Sequence, residues 1–116
     1  MNTIAKALGA IGLIAFGLIY PQKSCADVFT GAVFLTWSEA DKASYINNAV
    51  VIATIVATRT NPDMATCLDQ WYSARADVAE TRNTSILSTI SRNAEYHPGA
   101  IIVLALEDAC GSFGTN

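Results

Sequence analysis

The sequence predicts an all-α fold, a compact bundle of four to five helices stapled by one disulfide. Three observations carry that prediction. Helix start and stop signals recur along the chain, at Ser38, at Asn61-Pro62, at His97-Pro98 and at Gly111. Between them, apolar residues return at helical spacing rather than alternating as in strands. An even pair of cysteines, Cys67 and Cys110, remains once the apolar beginning of the chain is set aside.

That beginning reads as a secretory signal. Residues 1–6 carry one side-chain cation, Lys6, and residues 7–20, "ALGAIGLIAFGLIY", carry no charge. Pro21 then breaks the helix, and Ser24 and Ala26 supply the small residues that signal peptidase requires on either side of Cys25. Cleavage is expected after Ala26, so residues 1–26 form a cleaved secretory signal peptide and 27–116 a single small helical domain. The alternative, a retained anchor, is disfavoured because the uncharged run falls short of the ~20 residues that cross a hydrocarbon core. A lipid-attachment site at Cys25 is disfavoured by the polar Gln22-Lys23-Ser24 before it.

An exported chain with two cysteines implies one disulfide, Cys67 to Cys110, because an oxidising compartment lets it persist. Localisation is accordingly periplasmic or secreted. Without residues 1–26 the chain keeps Lys42, Arg59, Arg75, Arg82 and Arg92 against ten Asp and Glu, a net charge of −5. Such an acidic domain, with its cations scattered singly, lacks the electrostatic footprint of a nucleic-acid binder or of a ligand for anionic lipid. It has no membrane role once the signal is removed.

The elements follow in order. "DVFTGAVFLTW" (27–37) suggests a short helix opening at Thr30. Ser38 and Asp41 have capping-box spacing and start a long helix. Ala43, Ile46, Ala49, Val50, Ala53, Val56 and Ala57 mark its inner stripe, and "AVVIATIVA" (49–57) is apolar nearly all round, which places this helix in the middle of the bundle. Asn61-Pro62-Asp63 stops it and starts the next. There Met64, Cys67, Leu68 and Trp71 share a buried face. The polar stretch "SARADVAETRNTS" (73–85) reads as a helix tail to Val78 and then a loop, with a further helix from about Thr84 to Glu95. The last helix enters through His97-Pro98 and ends at Gly111 after Cys110.

Chemistry is sparse. His97, the one histidine, suits a cap before Pro98 and has no evident partner for acid–base work. With both cysteines oxidised, no His/Cys metal set remains, so no metal and no cofactor is expected. Asp63 and Asp69, or Glu107 and Asp108, have spacings common to any polar helix. No nucleophile elbow occurs, and the chain reads as a non-enzyme. Asn83-Thr84-Ser85 matches a glycosylation acceptor, which matters only in a eukaryotic source. Trp37 and Trp71 read chiefly as core, with Trp71, Tyr72, Arg75 and Asp77 as the candidate partner contact, since Trp, Tyr and Arg are enriched at binding hot spots.

"YINNAVVIATIVA", "CLDQWY" and the ending "HPGAIIVLALEDACG" resemble the Tai family, the immunity proteins of type VI secretion amidase effectors. The resemblance covers roughly residues 30–113. It implies an all-α periplasmic protein that binds a peptidoglycan amidase and blocks its active site, commonly as a homodimer. A second class of similar size and layout is the acid-stress periplasmic chaperone (Hde) type, which opens at low pH and exposes apolar surface.

Overall fold

The computed structural model describes residues 28–114; the expected signal peptide, its cleavage after Ala26 and Cys25 lie outside them. Five helices follow one another: α1 (Gly31–Phe34), α2 (Glu39–Thr60), α3 (Pro62–Trp71), α4 (Ala76–Arg92) and α5 (Pro98–Cys110). No strand occurs among the described residues, and Cys67 and Cys110 are joined as a disulfide.

The helix starts follow from local chemistry. The Thr30 hydroxyl accepts from the Val33 amide, and the Ser38 hydroxyl accepts from the Asp41 amide at 3.1 Å, each satisfying an amide that the first turn leaves without a partner. Asn61 closes α2 and opens α3: its amide donates to the Ala57 carbonyl, its side-chain oxygen accepts from Met64, and Pro62 takes the first helical position. His97 caps α5 through Nδ1, which accepts from the Gly99 amide at 2.9 Å. Gly111 ends α5 with φ of 96°, a conformation that suits glycine, although its ψ of −175° sends the chain off extended rather than into a left-handed turn.

α2 is the spine, packed against α3, α4 and α5. Ile46, Val50 and Ala57 on its inner face meet Met64 and Leu68 of α3, Ile86 and Ile90 of α4, and Ile102 and Leu106 of α5 in one core cluster, all essentially inaccessible to water. α1 is docked by its own backbone: the Gly31 amide donates to the Tyr96 carbonyl at 2.7 Å and the Ala32 amide to the Ala94 carbonyl at 2.9 Å. Gly31 must be glycine here, because a Cβ would come within 2.9 Å of the Ile90 side chain and 3.1 Å of the Ala94 backbone. Phe29, Phe34, Trp37 and Tyr45 stack around this junction, and His97 meets Phe29 edge-on at 5.3 Å.

Two expectations are corrected. Residues 73–85 are not a helix tail and a loop: after a short turn, α4 runs unbroken from Ala76 and stops at Arg92 rather than Glu95. Its inner stripe is completed by polar residues that found partners, Arg82 and Asn83, which an apolar count misses. Nor does α2 lie in the middle of the bundle. Its neighbours cover one side only, leaving Val51, Ile52, Ile55 and Val56 exposed by 45, 61, 62 and 46%.

Candidate functional site

The segment singled out in the sequence divides into an inside and an outside. Tyr72 is only 1% exposed, and its hydroxyl donates to the Asn83 side-chain oxygen at 2.6 Å. Burial raises the phenol above its ordinary pKa, opposed by that bond, so it stays a neutral donor. Tyr72 therefore belongs to the core, and its expected place in a contact surface is withdrawn. The same bond occupies the Asn83 side chain in mid-helix, which removes it from the open loop setting a glycosylation acceptor needs.

Trp71, one residue earlier, behaves differently. It is half-buried and lies in an open cleft of about 600 Å³ between α4 and α5. The Arg82 guanidinium sits 4.7 Å from the Trp71 ring centroid while its Nε donates to the Trp71 carbonyl at 2.8 Å. The contact places a cation over the negative face of the indole, and the hydrogen bond fixes the arginine stem, so the pair is ordered before any partner arrives. Ser85, Thr89, Leu104 and Asp108 are among the other residues that line it. Leu104 is 59% exposed, an apolar surface beside a carboxylate on the same wall. Trp71 is the one residue of this cleft that the sequence reading marks as a contact: Arg82 falls in the stretch read as a loop, and Leu104 falls in the aliphatic run of the last helix.

Arg75 and Asp77 stand at the start of α4. Arg75 Nε and Nη2 donate to the two Asp77 carboxylate oxygens at 2.9 and 3.0 Å. The guanidinium holds the Asp77 carboxyl below its ordinary range, and the carboxylate raises Arg75 in turn. Each satisfies the other, and both are exposed to solvent.

A second surface lies on the other side of α5. Ile52 and Val56 of α2 face Val103 and Phe113 across a groove of about 370 Å³ floored by Ala49 and Ala53. Its lining is almost wholly apolar. Trp37, 37% exposed, belongs to the aromatic junction near α1 and to neither surface.

Among the described residues no cluster of three or more His, Cys, Asp or Glu could hold a metal ion. None of the described helices is long and apolar enough to cross a membrane. The disulfide is compatible with an exported protein, because oxidising compartments preserve such bonds. Fold and surfaces together define a small, disulfide-stapled helical domain with two open faces. No protein-family model matches the chain, and neither curated proteins nor solved structures match it.

Proposed function

We propose that this chain is a non-catalytic, extracytoplasmic binding domain that recognises a protein partner through the Trp71 cleft, the partner being a secreted cell-wall amidase that it blocks. One observation supports the cleft as the contact. Trp71 and Arg82, the residue types that dominate binding hot spots, are stacked, hydrogen-bonded and accessible in the same depression. A pair ordered in advance loses little side-chain freedom on association, so more of its contact energy survives as affinity. The amidase rests on the resemblance of residues 30–113 to the Tai immunity proteins.

The test is capture. Disulfide-bonded protein is used as bait in an extracytoplasmic extract at neutral pH, and the captured partner is assayed for peptidoglycan amidase activity with and without the bait. One stoichiometric amidase, inhibited at one-to-one ratio and released at least tenfold faster by Arg82→Ala, is the expected result, since truncation of a hot spot costs ~2 kcal/mol or more. An empty capture at neutral pH that fills with unrelated proteins in acid would replace this reading with the acid-stress chaperone.

A further inference from the structure

We infer that Trp37, Tyr45 and Asp41 form an aromatic cage for a quaternary ammonium group, a site that shares no residue with the Trp71 cleft and does not depend on the amidase reading. These residues, with Ser44, line an open pocket of about 390 Å³ at the start of α2. The Trp37 and Tyr45 rings stand nearly perpendicular, with 82° between their planes and 5.8 Å between their centroids. Rings at right angles make two walls of a corner, and the negative face of an aromatic ring attracts a cation. Trp37 remains 37% exposed despite its place among other rings, so the indole has surface left to offer a ligand.

The corner is shaped before any ligand arrives. Phe29 stacks on Trp37 at 5.2 Å, and Phe34 packs against Trp37 and Tyr45 at 5.3 and 5.1 Å. The Tyr45 hydroxyl lies beside Gly99 of α5, which pins the far end of that ring. Walls fixed in advance lose little freedom on binding. Charge completes the site. Asp41 is exposed; its backbone amide donates to Ser38, while its carboxylate makes no ion pair among the described residues. Lys42 is engaged with Glu39 at 3.0 Å, so that pair cancels and Asp41 is left to face the pocket. Its full negative charge outweighs the roughly half positive charge that the helix dipole places at the start of α2. The residue types also choose among cations. A primary ammonium brings three N–H donors that need acceptors, whereas Asp41 and the Ser44 hydroxyl are the polar side chains in the lining. A quaternary ammonium has no donor to satisfy and spreads its charge over methyl groups, which suits ring faces.

NMR of the disulfide-bonded protein tests the inference, because Trp37 and Trp71 are its two tryptophans and their indole N–H signals report the two sites separately. Choline chloride is titrated in, against sodium chloride at matched ionic strength and against the neutral isostere of choline in which a tert-butyl group replaces the trimethylammonium. The expected result is a saturable shift of the Trp37 signal with Trp71 unmoved, roughly tenfold weaker for the neutral isostere and roughly threefold weaker in Asp41→Asn. Asp41 is exposed and caps nothing with its side chain, so this variant keeps the wild-type fold, which circular dichroism verifies. Absence of a saturable Trp37 shift overturns the inference. So does equal binding of the neutral isostere, or indifference to Asp41→Asn. Co-sedimentation with phosphatidylcholine vesicles then separates two sources of the same cation: protein that pellets and is released by free choline reads a lipid headgroup, and protein that stays in solution reads a free quaternary ammonium. Either result upholds the cage. Failure of the capture experiment leaves this site standing, and failure here leaves the Trp71 cleft standing.

Discussion

The two ends of α5 are held by different physics. At its start, Pro98 and the His97 cap meet a noncovalent junction: α1 hangs on two backbone hydrogen bonds to the preceding loop, and four aromatic rings with the imidazole close around it. At its end, Cys110 is bonded to Cys67, and the neighbouring clasp is polar, with Asn61 donating to the Ser112 carbonyl at 2.8 Å and Phe113 donating to the Glu107 carboxylate at 3.3 Å. The aromatic end is strong because it buries large rings, so it fails when geometry is disturbed. The other buries less and relies on a covalent bond that constrains the unfolded chain. Small domains have too little core to hold both ends by burial alone.

Breaking the covalent end is expected to have the largest effect. Closing a loop of 43 residues stabilises by about 4 kcal/mol on the chain-entropy account. Cys110→Ala, or reduction of the native protein, is therefore expected to lower unfolding free energy by up to that amount, as measured by denaturant titration. An unchanged midpoint under oxidising conditions would mean that the staple carries no stability, and the contrast between the two ends would collapse.

The aromatic end is probed by a single methyl. Gly31→Ala places a Cβ against the fully buried Ile90 and the Ala94 backbone, neither of which can yield cheaply inside a packed junction. Overpacking of this kind costs about 1 to 3 kcal/mol, offset in part by the unfolded-state entropy that alanine removes. The loss should appear as a fall in the denaturation midpoint accompanied by greater Trp37 exposure, because α1 and the ring cluster move together. A neutral result would show α1 to be an ornament on the bundle rather than part of it.

What the sequence made legible has the same division. Helix ends were readable at Ser38, Asn61 and His97 because a cap is a contract between residues two or three apart. The disulfide was readable because reading residues 1–26 as a signal sets Cys25 aside and leaves Cys67 and Cys110 with one pairing. The first half of α4 was not, since Arg82 and Asn83 sit on its inner face through bonds to Trp71 and Tyr72, eleven residues away, that no local pattern announces. Tyr72, a candidate contact by residue type, is core, while Trp71 beside it opens into the cleft; adjacent helix-end residues point about 100° apart, and only the packing of α4 decides which one faces in. The outer face of α2 was misplaced for a related reason. Periodicity reports how apolar a helix is around its circumference but not how many neighbours exist to cover it.

The smallest expected effect belongs to the exposed pair at the start of α4, and its sign is fixed by the carboxylate. Arg75 holds Asp77 below its ordinary range in the folded protein. A depressed acid contributes stability that is complete above its unfolded pKa, near 3.9, and is lost as pH falls through the lower folded value. Asp77→Asn should therefore leave neutral-pH stability almost unchanged, because both side chains are solvated and screened, while flattening the acid limb of the unfolding curve slightly. Followed by circular dichroism from neutral to acid pH at low and high salt, the wild-type limb should also flatten as salt rises, since the Arg75–Asp77 attraction weakens with screening. If Asp77→Asn instead abolished acid unfolding, the opening of this domain would be governed from the start of α4 rather than from either end of α5, and the pair would have to be treated as a pH-sensitive latch.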